Sequence, residues 1–280
     1  MAIAGQLTKD GFGYSVPVDS PLYQPFPLEY EDVDILLYPY VTTAAAAAKL
    51  LPAQLDLAPV PGDSTGTLAG AQVVFARYGF SNVGSYNEVA QVISARYRGT
   101  MPAGTNPNVA FAVRLHVTND MAMAAGREIG GFPKKLAHID VQEGAVWLGT
   151  LESPKGLRIC TGEMQPFVKV VEQSQLPANM QSMPLSYVSL RVIPDPTSST
   201  PPYTPTVCQL IYTEWVLTEG TFWGGRGALT FTGASELHPY HTLPIVQQAP
   251  PMSASTPTAP GTGLFRGKMV IGKVVVLENF

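Results

Sequence analysis

Short runs rich in β-branched and aromatic residues recur along this chain, and turn residues separate them. Glycine, proline, asparagine or aspartate bounds each run, which is typical of strands joined by turns. About ten strands are predicted in this way, at residues 33–40, 72–78, 88–97, 109–117, 145–151, 157–161, 185–193, 207–217, 228–232 and 268–277. Long open sheet edges promote aggregation, so this many strands predict a large antiparallel sheet that closes or folds on itself.

Helical signals are few, and they make the predicted class α+β with a dominant β component. Residues 43–51 (TAAAAAKLL) combine the strongest helix former with a threonine at the start and a proline just beyond the end. Residues 120–129 (DMAMAAGREI) follow the capping residues Thr118 and Asn119 and stop at two glycines. Residues 165–173 (QPFVKVVEQ) are a third helix candidate.

Two segments rich in proline, serine and threonine interrupt the strand pattern. They lie near residues 194–205 (PDPTSSTPPYTP) and 249–263 (APPMSASTPTAPGTG). Either could link two domains, but runs of the same strand character continue on both sides of each. We therefore expect surface loops of a single domain over residues 1–280.

The composition excludes several classes of protein. Charged residues make up 14% of the chain and hydrophobic residues 45%, so the chain can bury a substantial core and is not expected to be disordered. The net charge is −4 with no basic run, which argues against a nucleic-acid surface. There is no apolar stretch of the roughly 18–20 residues that a membrane helix needs, and the first residues lack a signal peptide's apolar core. We expect a cytoplasmic protein, in which Cys160 and Cys208 are free thiols.

No metal or nucleotide cofactor is expected from the motifs. The histidines His116, His138, His238 and His241 have no spacing typical of a metal site. The last two are three residues apart, but Pro239 predicts a loop there and no third ligand is evident. There is no Gly-rich nucleotide-binding motif, and GGRG at residues 224–227 predicts a tight turn.

Residues 126–137 (GREIGGFPKKLA) are the segment most suggestive of chemistry. A short helix ends at two glycines, a proline restricts the backbone, and two adjacent lysines begin the next strand. Successive side chains of a strand lie on opposite faces, so one lysine would face inward and the other outward. The alternative is that both lysines lie on a solvated turn, which is the usual case for a bare pair.

The block AAGREIGGFPKKLA is similar to the signature of the acetoacetate decarboxylase family, G-R-E-[LI]-x-x-[YF]-P-K-K-L. The resemblance extends to LLPAQLDL at residues 50–57, to SYNEVAQ at residues 85–91, and to CQL, WGGRGALTF and LPI in that order. It implies an α+β fold with a large closed antiparallel β-structure, a barrel or cone, with a few short helices. It also implies a homo-oligomer and no cofactor.

The resemblance also assigns roles to residues. The first lysine of the pair, Lys134, corresponds to the family's Schiff-base nucleophile, and Lys135 to the residue that favours the neutral form of the first. Acetoacetate decarboxylase is itself the established example of a lysine activated by desolvation or by a neighbouring cation. Such activation is needed because a free lysine is almost wholly protonated near neutral pH. Glu88, in SYNEVAQ, matches a family glutamate that positions substrate or transfers protons.

Two further residues have both a functional and a structural interpretation. Tyr86 is either a hydrogen-bond donor beside the Schiff base or a core tyrosine. Arg127 is either a substrate contact or a basic residue that favours the end of its helix through the helix dipole. We carry both forward as candidate substrate-binding residues.

The predicted chemistry is that of an iminium ion on Lys134. A neutral amine condenses with a ketone, and the resulting cation accepts the electron pair released by loss of CO₂ or of an α-proton. We therefore predict a lyase that acts on a keto acid, a small molecule, with decarboxylation of a β-keto acid as first choice. The alternatives are an aldolase–dehydratase or cyclase that uses the same iminium, and a non-catalytic small-molecule binding protein.

Two departures from the family pattern bear on the substrate. The family's decarboxylases carry a second acidic residue where this chain has Ala76, and an arginine near the first strand. This chain has no arginine between Met1 and Arg77. The resemblance therefore points away from acetoacetate itself and towards relatives that use the lysine for aldol condensation, dehydration or cyclisation.

Overall fold

The computed structural model of this chain describes residues 5–6, 13–17, 19–175, 183–197, 205–232, 237–250 and 261–280. Within these ranges the strands are β1 Leu28–Thr43, β2 Leu55–Leu57, β3 Leu68–Ser81, β4 Tyr86–Tyr97, β5 Asn108–Val117, β6 Lys134–Leu136, β7 His138–Gln142, β8 Trp147–Glu152, β9 Arg158–Glu172, β10 Met183–Pro194, β11 Pro205–Phe231, β12 Gln247–Gln248 and β13 Gly263–Asn279. The α-helices are α1 Ala44–Ala48 and α2 Asp120–Glu128. No helix in the described ranges is long and apolar enough to span a bilayer.

All of these strands belong to one sheet, and part of that sheet closes into a ring. The ring runs β10-β5-β4-β3-β1-β13-β11 and closes because β11 also pairs with β10. Its pairings are antiparallel except for β5 with β10, and the short β6 is also parallel to β5. The long β11 continues beyond the ring to pair with β9, which extends the sheet through β8 to β7. The predicted α+β class with a large closed, mainly antiparallel β-structure is confirmed.

Strand periodicity places separate hydrophobic cores on the two faces of this sheet. On β4, Tyr86 and Ala90 pack into the core inside the ring, together with Trp215 and Phe265. Val89, between them, packs into the core on the opposite face. Alternation places every second side chain of β4 on the inner face, and this includes Glu88.

The two predicted major helices are present and capped as expected. The Thr43 side chain accepts a hydrogen bond from the Ala46 amide at 3.3 Å, and the Asn119 side chain accepts one from the Ala122 amide at 3.0 Å. These bonds satisfy amides that the first helical turn leaves free. Helix α1 is shorter than the predicted 43–51, since it ends at Ala48.

Two local predictions are wrong, and strand pairing is the reason for both. Residues 165–173 are not helical: they lie largely within β9, where they pair with β11. The GGRG segment at 224–227 is not a turn but part of β11. A Cβ atom on Gly225 would lie 2.3 Å from the Gln165 carbonyl oxygen, and one on Gly227 2.2 Å from Thr262. These glycines permit close packing rather than a change of chain direction.

The two Pro-rich segments connect neighbouring parts of the sheet. The first lies between β10 and β11, which pair as far as Pro194 and Pro205, and the second between β12 and β13. Residues 198–204 and 251–260, the centres of these predicted loops, lie outside the described residues. The single-domain organisation stays a prediction. Cys160 and Cys208 are both free thiols.

Candidate active site

The turn between α2 and β6 brings Lys134 into the interior of the ring. Gly131 adopts a left-handed backbone conformation (φ 66°), and a Cβ there would lie 2.7–2.8 Å from atoms of Arg191, so glycine is required. Beyond Pro133, β6 runs parallel to β5 with Lys134 opposite Leu115. Lys134 is 4% exposed, whereas its neighbour Lys135 is exposed. The strand geometry thus separates the two lysines onto opposite faces.

Lys134 forms a buried ion pair with Glu88. Its Nζ lies 3.0 Å from Glu88 Oε2, and the Glu88 side chain, on the inner face of β4, is also buried. The two residues meet because β4, β5 and β6 are consecutive neighbours in the sheet. A buried charge is tolerated only when it is paired, so each residue stabilises the charged form of the other.

The helix of the motif is shaped around the lysine side chain. A Cβ atom on Gly126 would lie 2.5 Å from both Cδ and Cε of Lys134. The glycine of the G-R-E sequence therefore leaves the space through which the lysine reaches Glu88. At the end of the same helix, the Tyr23 hydroxyl donates a hydrogen bond to the Glu128 carboxylate.

Aromatic rings surround the ion pair. Lys134 Nζ lies 5.7 Å from the centroid of the Tyr86 ring and 5.8 Å from that of Phe132. Tyr86 and Tyr30 place their hydroxyl oxygens 3.4 Å apart, and Tyr30 stacks on Trp215 with centroids 5.9 Å apart. Tyr86 thus contacts the site through its ring.

The tyrosines near Glu88 are held in their protonated form. Burial, and then the negative charge of Glu88, raise the pKa of Tyr78 well above its usual value. The same two causes raise the pKa of Tyr187. Burial also raises the pKa of Tyr86 and of Tyr30. Neutral phenols can donate hydrogen bonds, so these hydroxyls are potential donors to a substrate oxygen.

A cavity of about 280 Å³ adjoins the ion pair. Glu88 is its charged lining residue, and Gln72 and Ser186 are polar members of a lining that is otherwise aliphatic and aromatic. Its aromatic walls are Tyr78, Phe132, Tyr187, Trp215, Phe222 and Phe265. A largely apolar pocket with a few polar groups is typical of a small-molecule site.

A smaller chamber of about 20 Å³ lies around Lys134 itself, and Phe132 and Trp215 line both spaces. Thr213 also lines the chamber. The Thr213 hydroxyl and the Trp215 indole nitrogen are buried without a hydrogen-bond partner. An unsatisfied buried polar group is costly, so two of them beside the lysine indicate donors available to a bound molecule.

Sequence reasoning missed these surroundings. Tyr78 and Tyr86 occupy opposite positions on β3 and β4, a relation that follows once the two strands are paired antiparallel. Thr213 and Trp215 lie in the run 207–217, where a threonine and a tryptophan carry no local signal of function. Only the closure of the ring brings them beside Lys134.

Lys135 lies outside the ring, on the face opposite Lys134. Its Nζ donates a hydrogen bond to the Leu237 carbonyl at 3.1 Å. On that face, burial first, then His238 and Lys135, lower the pKa of His116 to about 3. The Nε2 atom of His116 lies 3.0 Å from Nδ1 of His238. The assistance of Lys135 to Lys134 stays a prediction.

Arg127 lies at the edge of the site, and Ala76 lies within it. Arg127 is exposed and donates a hydrogen bond from Nη1 to the backbone carbonyl of Lys134 at 3.1 Å. Ala76 is buried and lies directly opposite Glu88 on β3. Among the residues that the structure describes, no arginine lines the cavity or the chamber. Thus Lys134, Glu88 and Tyr86 come together, whereas Lys135 and Arg127 lie at the periphery.

Comparison with known proteins identifies one family model and several similar proteins. The family model described as "Acetoacetate decarboxylase (ADC)" matches residues 15–264. The chain is 25% identical over 255 residues to "Decarboxylase DEC1" of Cochliobolus heterostrophus, covering 88% of this chain and 91% of that protein. It is 28% identical over 245 residues to "Acetoacetate decarboxylase 3" of Mesorhizobium japonicum, covering 85% and 81%.

Solved structures share the fold at lower sequence identity. An acetoacetate decarboxylase from Legionella pneumophila superposes with a TM-score of 0.74 at 21% identity, covering 100% of this chain and 99% of that one. The enduracididine biosynthesis enzyme MppR, complexed with the condensation product of pyruvate and imidazole 4-carboxaldehyde, superposes with a TM-score of 0.68 at 17% identity, covering 98% and 99%.

Proposed function

Because the chain belongs to the acetoacetate decarboxylase family, we propose that it is a lyase that binds a keto acid as a Schiff base on Lys134. The observation that carries this proposal is the buried contact of 3.0 Å between Lys134 and Glu88 beside an apolar cavity. We further propose that residues 1–280 act as one domain, since the described strands belong to one sheet. The homo-oligomer stays a prediction.

Glu88 is placed to release the nucleophile. When an apolar substrate fills the cavity and displaces water, the charged pair becomes less favourable than the neutral pair. The Lys134 ammonium then passes a proton to the Glu88 carboxylate, which leaves a neutral amine and a protonated acid. The amine nitrogen attacks the ketone carbon, and after a proton moves from nitrogen to oxygen the adduct is a neutral carbinolamine.

Glu88 then serves as the acid for dehydration. Its proton passes to the carbinolamine hydroxyl, water leaves, and an iminium ion remains on Lys134. The Glu88 carboxylate regains its negative charge next to the new cation, so the protein's own charges at residues 88 and 134 balance before and after the step. The protonated hydroxyl of Tyr78 and the free donors of Thr213 and Trp215 can hold the substrate oxygen during these steps.

Decarboxylation follows from the iminium as an electron sink. The bond between the α-carbon and the carboxylate carbon breaks, its electron pair moves into the iminium, and CO₂ leaves an enamine. Protonation at carbon and hydrolysis of the imine release the ketone and restore Lys134. The apolar walls of the cavity favour this step, because a carboxylate without a buried cationic partner is destabilised relative to neutral CO₂.

The second candidate is an aldolase–dehydratase or cyclase that proceeds from the same iminium. Ala76 opposite Glu88, and the absence of arginine from the described cavity lining, favour it because the second acid and the arginine that the resemblance associates with the family's decarboxylases are missing there. The relative MppR was solved with a condensation product of pyruvate and an aldehyde. A non-catalytic binding protein would keep the cavity but form no covalent adduct.

Borohydride trapping tests the Schiff base directly. Reduction in the presence of pyruvate or acetoacetate is expected to add the reduced ligand mass to the peptide that contains Lys134. The Lys134→Met variant should gain no such mass, whereas Lys155→Met, at an exposed loop lysine, should behave as the native protein does. A label on Lys135 alone, or no label with any keto acid, would exclude the proposal.

Product analysis distinguishes decarboxylation from the aldol reaction. CO₂ release from acetoacetate is measured beside aldol-product formation from pyruvate plus an aldehyde. We expect slow turnover of acetoacetate. Rapid CO₂ release would show that Ala76 and the missing arginine are tolerated and would support simple decarboxylation. An aldol product without CO₂ release would select the second candidate.

A further inference from the structure

The cavity beside Glu88 differs in exposure between its two ends. Phe132 and Trp215, which also line the chamber around Lys134, are buried. Leu37, Gln72 and Ala110, which line the cavity elsewhere, are partly exposed. A ketone that reaches Lys134 therefore enters past the second set of residues. The rest of the molecule must then lie along the walls between the two ends.

The charges of the cavity lining limit which groups the rest of the substrate can carry. Glu88 is the charged residue of the cavity lining, and it is already paired with Lys134. Within the described part of the chain, no lysine or arginine lines the cavity. A second charge on the substrate beyond its reacting centre would thus be buried without a partner, which is strongly unfavourable.

The volume of the cavity limits the rest of the substrate further. A volume of about 280 Å³ corresponds to roughly nine water molecules at about 30 Å³ each. The single methyl group of acetoacetate would leave most of this space unfilled, and the walls would lose the contacts that favour binding. The rings of Phe132, Tyr187 and Trp215 lie 5.8–6.4 Å apart, centroid to centroid, and form a continuous aromatic wall for an apolar chain.

We propose that the substrate is a keto acid whose chain beyond the reacting carbonyl is uncharged, apolar and several carbons long. This inference rests on the proposed Schiff-base function and names the substrate class of the same site. The chain packs against the aromatic wall and the aliphatic side chains of the cavity. The keto acid thereby positions its carbonyl at Lys134 by filling the space behind it.

A series of neutral methyl ketones tests this independently of the later chemistry. Acetone, 2-pentanone and 2-heptanone are each reduced onto the protein with cyanoborohydride, and the rate of labelling at Lys134 is divided by that of butylamine with the same ketone. Each buried methylene should raise the corrected rate roughly three- to fourfold. We expect 2-heptanone to exceed acetone by about two orders of magnitude on that basis.

A cavity-filling variant tests whether the preference for longer ketones arises in this cavity. Ala110→Phe places a ring in the partly exposed end, whereas Ala103→Phe makes the same change at an exposed turn residue and is the matched control. Because the new ring at residue 110 narrows the entrance for every ketone, labelling by 2-heptanone should fall further than labelling by acetone, and a cooperative unfolding transition in urea shows that the variant is folded. Ala103→Phe should keep the native preference.

The outcomes separate the two proposals. Labelling of Lys134 that does not increase with chain length would overturn the apolar-chain substrate and leave the Schiff base intact. A preference for 2-heptanone that survives in Ala110→Phe would overturn the assignment of the chain to this cavity. No labelling of the native protein by any ketone would overturn the Schiff-base function and this inference with it.

Discussion

A Cβ atom on Gly126 would lie 2.5 Å from the Cδ and Cε atoms of Lys134, so the helix backbone and the lysine side chain occupy adjoining space without room for a methyl group. If residue 126 carried a Cβ atom, the Lys134 side chain would have to move, because the overlapping atoms are methylene groups of a flexible side chain. A helical glycine is also less favourable than alanine by about 1 kcal/mol. The glycine is therefore explained by the position of the amine and not by helix stability.

Gly126→Ala should consequently retain or slightly increase the free energy of unfolding while its Lys134 amine moves away from Glu88. We expect borohydride labelling at Lys134 to fall by at least about tenfold, as misplaced reacting groups lose large rate factors. Gly272→Ala is the control, since its Cβ would find its nearest neighbour at 3.6 Å. Undiminished labelling in Gly126→Ala would show that the lysine path is not constrained.

Glu88→Gln should separate capture from turnover. The amide preserves the size of the side chain but removes the carboxylate that favours the ammonium of Lys134, so the final extent of ketone capture should persist, although it is reached more slowly without the acid for dehydration. Turnover repeats dehydration and the later proton transfers in every cycle, so it should fall by about 10²–10⁴-fold. Glu31→Gln, at an exposed position of β1, should leave both measurements unchanged. Equal losses of capture and turnover would contradict the proton-transfer role.

Thr213→Val should increase the free energy of unfolding and lower the turnover. Replacing a buried, unpartnered hydroxyl with a methyl group should raise the free energy of unfolding by roughly 1 kcal/mol. If that hydroxyl holds the substrate oxygen, turnover should fall by about 10- to 100-fold. Thr42→Val removes another buried, unpartnered hydroxyl, from β1, and should stabilise without loss of turnover. A less stable but fully active Thr213→Val would contradict this assignment.

Lys135→Ala tests the influence of a cation from the opposite face of the sheet. Loss of its positive charge makes the ammonium form of Lys134 less unfavourable, so the acidic limb of the labelling rate should move to higher pH. The displacement should be less than about one pH unit, because Lys135 is exposed and its field is screened. Lys155→Ala is the control. An unmoved limb would leave burial as the main cause of activation.

His116→Gln should weaken the dependence of stability on acid pH. Burial lowers the pKa of folded His116 from 6.5 to about 3, so between these values the unfolded chain binds the additional proton. Native stability should accordingly be complete above about pH 6.5 and fall by roughly 3–5 kcal/mol towards pH 3. The variant should lose that part of the slope in urea titrations, whatever its absolute stability. His241→Gln, at an exposed site, should retain it.

Local sequence was sufficient for most of the long strands, the two capped helices and the lysine. Alternation within a strand depends on a side-chain period of two residues, and helix ends depend on residues such as Thr43 and Asn119 that satisfy free amides nearby. Lys134 and Glu88 lie in sequence blocks similar to one family, so the sequence alone predicts both as site residues. These inferences need no knowledge of distant contacts.

Tertiary structure alone decided the surroundings of that lysine. Residues 165–172 are part of β9 and residues 224–227 are part of β11 because these two strands pair there, and such pairing depends on residues far apart in the chain. The same closure places Thr213 and Trp215 beside Lys134 and leaves Arg127 outside. The chemical type of a side chain follows from the local sequence, but its neighbours depend on which strands pair. Burial of the inner face stabilises the ring as a whole, so this pairing depends on all of its strands together.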